Sequence, residues 1–250
     1  TMRASLVDGA KQAIAVGLAC AIVGVIIGVL TLTGAASNFA EFVLHVGSKS
    51  LFLSLLLTMI VCLILGMGIP TIPNYIITSA IAAPALLKLG VPLIVSHMFV
   101  FYFGIMADLT PPVALAAFAA ASISKGPPMK TGWKATHIAI AGFVIPYMAV
   151  YDPALMLQPT SPGAGLSLVA AVYVIAKTIL AIGLWGGAAT GYFLRGPLAW
   201  PERVVAFATA SLLVAAVPWT DQAGFVASAL FILWHVWRSR GVPATAKAGA

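Results

Sequence analysis

Charged side chains are scarce in this sequence. Only 8% of its 250 residues are Asp, Glu, Lys or Arg, whereas 62% are hydrophobic and the mean hydropathy is +1.08. A soluble domain of this length needs far more polar surface, so the composition indicates a polytopic membrane protein in a lipid bilayer. The 13 Lys and Arg residues lie between apolar runs, as the positive-inside rule expects, and this arrangement argues against nucleic-acid binding.

Residues that carry catalysis in other proteins are few and scattered. Cys20 and Cys62 lie in apolar segments without a neighbouring His or Cys, which indicates neither a disulfide nor a metal site. The four histidines form no His-Glu-x-x-His pattern, and no Gly-x-Ser-x-Gly or phosphate-binding glycine motif is present. The sequence therefore predicts no catalytic residue, no enzyme and no ATP-driven motor. Residues 1–11 are not expected to form a cleavable signal peptide, because the following apolar run is too long.

The apolar runs predict an all-α fold. Residues 12–34 carry no charge and are long enough to form a first transmembrane helix. A second uncharged run, between Lys49 and Lys88, is too long for one straight span, and the sequence GMGIPTIPN at residues 66–74 interrupts it. Glycines and prolines at this spacing end a helix, so the run is expected to form two arms around a broken tip.

The two arms are short for membrane-spanning helices. The first begins near Leu51, and Asn74 is expected to cap a second helix that begins near Tyr75. Arms near the lower length limit for a span favour a re-entrant helical hairpin. Two ordinary spans joined by an external turn are the alternative.

Residues 92–124 predict one discontinuous transmembrane helix. The sequence DLTPP at residues 108–112 places a carboxylate and two helix-breaking prolines inside an apolar run. A charge or an unwound backbone at bilayer depth is costly unless it faces protein, water or an ion, so the segment is a candidate functional site. The alternative is that Asp108 marks a loop at the membrane surface.

Beyond a basic connection at residues 125–134, a span over residues 133–151 is expected, followed by a long helix over residues 166–194. Lys177 within that helix is either an ion-pathway residue or a lysine that snorkels or meets a carbonyl group. Short apolar arms at residues 204–217 and 223–237 predict a terminal helical hairpin. Three glycines spaced by four residues favour close helix packing: Gly183, Gly187 and Gly191.

The basic clusters agree on one orientation. With the first helix leading outward, the re-entrant hairpin returns to the same side and the later spans restore the basic segments to the cytoplasm. Those segments contain Arg3, Lys11, Lys125, Lys130, Lys134, Arg195, Arg203, Arg238 and Arg240. Lys49 and Lys88 are the exceptions and are expected outside.

The two interruptions together supply what an ion needs. Helix C-terminal ends offer carbonyl oxygens and a negative dipole end to a cation, and helix N-terminal ends offer N–H groups to an anion. A hard cation such as sodium suits oxygen ligands better than a transition metal does. Oxygens are expected from Gly66, Gly68, Thr71 and Asn74, with Asp108 and Thr110 opposite them.

The sequences LGMGIPT at residues 65–71 and FVFYFGIMADLTPPVA at residues 99–114 resemble the large membrane subunit of TRAP transporters, the tripartite ATP-independent periplasmic family. The resemblance covers about residues 9–157 and is closest to the fused-permease branch that works with TAXI-type binding proteins. The sequence WPER at residues 200–203 and the hairpin behind it resemble the extra C-terminal region of that branch. Ala114 departs from the glycine that the family often has after Thr-Pro-Pro-Val.

The resemblance implies a sodium-driven secondary transporter of the elevator type, which takes organic acids from a periplasmic binding protein across the bacterial inner membrane. Family sites lie at hairpin tips and broken helices. On this chain they match a sodium site at Gly66, Gly68, Asp108 and Thr110, and a substrate site at Thr71, Asn74, Pro111 and Pro112. Sodium is then the coupling ion, and no further cofactor is expected.

Only one copy of the hairpin and broken helix occurs, so the chain is expected to be the C-terminal portion of a larger permease with an N-terminal remainder. Residues 1–160 would form half of an inverted-repeat transport region, and residues 161–250 a C-terminal helical extension peripheral to transport. A channel or a passive membrane scaffold subunit is the alternative function. No residue in the sequence distinguishes which organic acid is transported.

Overall fold

The computed structural model describes residues 2–47, 50–159, 165, 167–194, 196–214 and 218–239. The described chain consists of helices, turns and one pair of two-residue antiparallel strands, so the predicted all-α class is confirmed. It forms two compact units, Thr1–Ala135 and Thr136–Ala250. The domain boundary predicted at residue 160 stays a prediction, because residues 160–164 lie outside the described part of the chain.

The first unit begins with a long helix, α1 (Met2–Leu32), and a shorter one, α2 (Ala35–Gly47). Gly34 has a φ of +70°, a conformation that glycine adopts without steric cost, and it ends α1. The two helices are bent by 68° at this turn. The predicted first transmembrane segment is therefore helical, and its helix already begins at Met2.

The two arms predicted around a broken tip are helical, and their re-entrant path in the membrane stays a prediction. The first arm is α3 (Leu51–Gly66), and the second consists of α4 (Thr71–Ile81) and α5 (Ala83–Lys88). The expectation that Asn74 caps a helix beginning near Tyr75 is wrong. Pro70 is the N-cap residue, because its fixed φ and missing N–H suit a helix start, and Asn74 lies inside the first turns with its side chain buried.

The predicted discontinuous helix is also present, as α6 (Leu93–Met106) and α7 (Leu115–Ser124) with a non-helical segment between them. On α6, the buried rings of Phe99 and Phe103 meet edge to face with centroids 4.9 Å apart. Such aromatic pairs stabilise a core beyond the area that they bury. The packing of Phe99 and Phe103 thus stabilises α6 just before its C-terminal end, where the break begins.

The span predicted at residues 133–151 is built from three helical pieces, α8 (Pro128–Ile138), a 3-10 segment (Ala139–Phe143) and α9 (Ile145–Tyr151). Among the described helices, Pro128–Tyr151 and Leu168–Thr190 are long and apolar enough to cross a membrane. The bent pair of α1 and α2 would add a third span.

The second unit continues with a 3-10 turn (Pro153–Met156), α10 (Leu168–Thr190), the strands β1 (Tyr192–Phe193) and β2 (Gly196–Pro197), and two further helices. These helices are α11 (Trp200–Val214) and α12 (Pro218–Ser239), which form the predicted terminal hairpin. Residues 218–222, expected to be the turn, instead form the first turn of α12. Proline is well suited to that position because it lacks an N–H that would otherwise stay unbonded.

The expected glycine contact face on α10 is wrong in part. A side chain at Gly183 would meet nothing within 4 Å, whereas Gly187 lies against the ring of Phe193, 2.6 Å from where a Cβ would be. Gly191 ends the helix with a φ of +75°. The three evenly spaced glycines therefore have different roles. Gly183 is an open position, Gly187 makes a close packing contact, and Gly191 ends the helix in the left-handed conformation.

Lys177 neither snorkels nor meets a carbonyl group. Its Nζ lies 3.0 and 3.1 Å from the two carboxylate oxygens of Asp221 in α12, and both side chains are buried. The hydroxyl of Tyr173 donates to the same carboxylate at 3.2 Å. We call Tyr173, Lys177 and Asp221 the Lys177 triad.

Candidate functional site

The hairpin tip lies between α3 and α4 and consists of four residues, Met67 to Pro70. Gly68 has a φ of +74°, and Pro70 follows in an extended conformation, so neither residue can continue the helix. Two long backbone hydrogen bonds close the turn, from Met67 N to the Ile64 oxygen at 3.3 Å and from Ile69 N to the Gly66 oxygen at 3.5 Å. Carbonyl oxygens at such a helix end lack their regular helical donors.

The break after α6 begins with tight turns. The N–H groups of Ala107, Asp108, Leu109 and Thr110 each donate three residues back, at 3.0–3.3 Å, instead of four. The Thr110 hydroxyl donates to the Met106 oxygen at 2.8 Å. Pro111 and Pro112 then stop the chain from returning to helix, because neither has an N–H to donate.

The hairpin tip and the break touch each other, and glycine makes the contact possible. A Cβ at Gly66 would lie 2.6 Å from the carbonyl oxygen of Gly104 and 2.9 Å from the Cβ of Ala107, closer than real side chains approach. At the tip, Gly68 faces Val113, with 3.5 Å from its Cβ position to a methyl group. We call this contact between residues 66–74 and residues 104–114 the break junction.

Asn74 lies at the centre of the break junction. Its Nδ2 donates to the Gly104 carbonyl oxygen at 2.7 Å, and only 1% of the residue is exposed. Its Oδ1 is buried and accepts no hydrogen bond from any described residue. An unpaired buried acceptor costs about 1–3 kcal/mol, so this oxygen marks a place where a cation or a hydrogen-bond donor would be stabilised.

Asp108 provides a second unpaired oxygen. The residue is half-buried, and its Oδ1 is buried without a hydrogen-bond partner among the described residues. Among the described residues, the ion pairs are Lys177 with Asp221 and Arg238 with Glu202, so no described Lys or Arg forms an ion pair with the Asp108 carboxylate. The break junction therefore combines a negative group with unsatisfied oxygen atoms.

Backbone dipoles add to this negative character. Both α3 and α6 end at the break junction, and the C-terminal end of a helix carries a partial negative charge. The groups around the break junction offer oxygen atoms as possible metal ligands. These oxygens belong to backbone carbonyls, an amide, a carboxylate and a hydroxyl. Among the described residues, no group of three or more His, Cys, Asp or Glu side chains is placed to hold a metal ion. Oxygen ligands of this kind are those that hard cations prefer.

The other predicted site residues are distributed around this centre. Gly68, Thr71 and Pro112 are exposed on its outside. Pro111 packs against α8, with its Cγ 3.2 Å from where a Cβ of Gly132 would be. The structure thus brings Gly66, Asn74 and the segment that carries Asp108 and Thr110 into contact, and leaves Thr71 and Pro112 exposed.

Gly104 was not singled out from the sequence, although it contacts both Gly66 and Asn74. A Cβ at Gly104 would lie 2.8 Å from the Asn74 Oδ1 atom, so any larger residue would displace the amide. The signal was available, because Gly104 is the only glycine in α6 and directly follows three aromatic residues. An isolated glycine within an apolar helix indicates a close backbone approach.

The family model described as "Tripartite ATP-independent periplasmic transporter, DctM component" matches residues 1–164 and so includes both halves of the break junction. No curated protein and no solved structure matches the chain. The matched part contains the hairpin and the broken helix that carry the resemblance found in the sequence. Since the match covers well over half of the 250 residues, the chain belongs to the DctM component family of tripartite ATP-independent periplasmic transporters.

Proposed function

We propose that this membrane permease is driven by sodium and imports organic acids that a periplasmic binding protein delivers. Membership of the family makes the chain a component of a secondary transporter. The DctM family is a family of transporters and not of enzymes. The observation that carries the sodium proposal is the break junction, where Asn74 Oδ1 and Asp108 Oδ1 are buried without partners among the described residues. Buried oxygens of this kind are stabilised when a cation joins them.

The proposed sodium site uses Gly66, Gly68, Asp108 and Thr110. The glycines bring backbone oxygens within reach because they lack side chains, and the Asp108 carboxylate balances the charge of the ion. We add Asn74 to this set and move it from the substrate site. An unpaired amide oxygen attracts a cation and repels the carboxylate of an organic acid, and the Asn74 amide nitrogen is already engaged by Gly104.

The proposed substrate site lies outside this centre, at Thr71, Pro111 and Pro112. Thr71 is the first residue of α4, where free N–H groups and the positive dipole end attract a carboxylate. Pro112 is exposed beside the break, and its ring offers an apolar surface to the carbon skeleton of an acid. Sodium bound at the break junction would hold the hairpin tip in place and so preorganise the proposed substrate site for the acid.

The rest of the permease completes the transporter. We propose that an N-terminal remainder supplies an inverted counterpart of the hairpin and broken helix, so that both form one elevator in the bacterial inner membrane. Transport proteins with inverted repeats place the ion and substrate sites between such broken helices. The lipid bilayer, the periplasmic binding protein and an organic acid are the proposed partners.

A sodium titration of uptake tests this function. The full permease is reconstituted in liposomes with its binding protein, and accumulation of the labelled acid is measured against external sodium, with potassium as the matched control. Uptake is expected to require sodium and to saturate with it. Equal uptake in potassium would contradict the sodium proposal.

Counterflow separates a transporter from the alternative channel or scaffold. Liposomes loaded with unlabelled acid are expected to accumulate the labelled acid transiently above equilibrium, because a carrier exchanges one solute for the other. A channel lets both solutes equilibrate without accumulation, and a scaffold gives no flux from this chain.

A further inference from the structure

The second compact unit contains a cavity of about 260 Å³ that we call the aromatic pocket. Its walls include Ile140, Trp185, Trp200 and Phe207, and its polar lining comes from His137 and Arg203. The ring of Trp185 stacks on Phe207 with 5.1 Å between centroids and 9° between planes. The Trp185 Nε1 also donates to the Phe207 carbonyl oxygen at 3.0 Å, so this wall is held in place.

Arg203 gives the pocket a fixed positive charge. Its Nε donates to the Ala188 oxygen at 2.7 Å and its Nη2 to the Ala189 oxygen at 2.8 Å, both in the last turn of α10. Of the described residues, none accepts a hydrogen bond from Nη1 and none forms an ion pair with Arg203. The guanidinium is therefore preorganised, with donors left for an anion.

The acidic residue next in sequence does not neutralise Arg203. Glu202 accepts a hydrogen bond from Ala199 N with its Oε2 and forms an ion pair with Arg238 through its Oε1. The first of these contacts is the backward bond of a helix N-terminal capping box. The carboxylate of Glu202 is thus committed to contacts with Ala199 and Arg238, and the positive charge at the pocket remains available.

The position of the pocket suggests where its ligand comes from. Ala188 and Ala189 lie at the end of Leu168–Thr190, which is apolar enough to span a membrane. The charge pattern predicts that this end lies on the cytoplasmic side. Trp200, 74% exposed, is at the rim, and its ring lies 5.8 Å from the Arg203 guanidinium. Tryptophan beside a basic residue is typical of the membrane interface, where the cytoplasmic leaflet carries anionic lipids.

We propose that the aromatic pocket binds one anionic phospholipid, with the lipid phosphate at Arg203 and its glycerol and upper acyl chain against the aromatic walls. A small organic acid has less apolar surface than a phospholipid to bury against these walls in return for the lost hydration of its carboxylate. A phospholipid matches both parts of the site. This proposal does not depend on the sodium or substrate sites.

Lipid binding to the full permease tests it. The protein is purified into phosphatidylcholine nanodiscs, and bound phosphatidylglycerol is counted by native mass spectrometry together with the shift in melting temperature. Val204→Trp fills the pocket without changing charge, since Val204 lines it. Val205→Trp is the matched control, because this neighbour is similarly exposed on the same helix, at 50% against 53% for Val204. Arg203→Gln removes the charge.

Phosphatidylglycerol is expected to be retained over phosphatidylcholine, and its affinity should fall about tenfold in Val204→Trp and in Arg203→Gln but not in Val205→Trp. If Arg203→Gln does not fold, because the α10 end loses its hydrogen bonds, Val204→Trp alone decides. Equal retention of both lipids, or unchanged retention in Val204→Trp, would overturn the proposal. Soluble glycerol phosphate should not raise the melting temperature as much as phosphatidylglycerol does. An equal rise would also overturn the proposal, since the pocket would then bind a free anion.

Discussion

The Lys177 triad of the second compact unit and the break junction of the first differ in how completely their buried polar groups are paired. In the second unit, the Lys177 triad pairs a cation with a carboxylate and a hydroxyl, and each of these contacts is 3.0–3.2 Å long. In the first unit, the break junction leaves an Asn74 oxygen and an Asp108 oxygen buried without partners among the described residues. A completed set of polar contacts holds helices together, whereas an incomplete set is stabilised only when something binds.

Lys177→Met gives the largest expected effect, because it leaves the Asp221 carboxylate buried without its cation. Breaking one side of a buried ion pair costs about 3–5 kcal/mol, so the melting temperature of the permease should fall sharply. The double variant Lys177→Met with Asp221→Leu should recover most of that loss. Sodium dependence of uptake should stay unchanged in whatever protein folds. Loss of sodium coupling with normal stability would make the triad functional and break the comparison.

Gly66→Ala tests the close contact at the break junction. The added methyl group would overlap the Gly104 carbonyl oxygen, so we expect a loss of about 1–3 kcal/mol in stability and a strong loss of uptake. Gly183→Ala is the matched control, because a side chain there meets nothing within 4 Å and alanine favours helix. Melting temperature and initial uptake rate are the measurements. Normal uptake by Gly66→Ala would mean that the two breaks separate during function.

Asp108→Asn keeps the size of the side chain and removes its charge. Sodium affinity, measured as the concentration for half-maximal uptake, should weaken by about 1–3 kcal/mol, the value of a charge-assisted contact. Asp8→Asn on the exposed part of α1 is the control and should leave it unchanged. If Asp108→Asn expresses normally with unaltered sodium dependence, the ion must be sought among the carbonyl groups near Gly66.

Thr110→Val gives the smallest expected effect. The Thr110 hydroxyl already donates to the Met106 oxygen, so its loss removes one hydrogen bond and one proposed oxygen ligand of sodium, about 0.5–1.5 kcal/mol. Thr33→Val is a close control, since the Thr33 hydroxyl makes the same kind of bond to the Val29 oxygen at 2.8 Å, far from the breaks in sequence. Only Thr110→Val should raise the sodium requirement. Equal behaviour of the two variants would assign Thr110 a purely local role.

The helix interruptions could be predicted because glycine and proline act locally. Gly68 and Pro70 stop α3 whatever surrounds them, and Pro111 and Pro112 do the same after α6. The role of Asn74 could not be found in this way. Asparagine is common at helix starts, so the cap was the natural prediction, but its actual partner is Gly104, thirty residues later in the chain. The sequence pattern predicts a turn at residues 218–222, whereas Pro218 starts α12 and places Asp221 within that helix.

The sequence by itself determined the membrane class, the all-α fold, the two breaks and the family, because hydropathy and backbone stiffness are properties of short segments. The tertiary structure decided which polar groups meet. Asp221 neutralises Lys177 across 44 residues, Gly104 receives Asn74, and Arg203 closes the end of α10 beside an aromatic pocket. These pairings depend on how helices pack over long sequence separations. No local pattern encodes whether a buried oxygen finds a partner, and that is the difference between the Lys177 triad and the break junction.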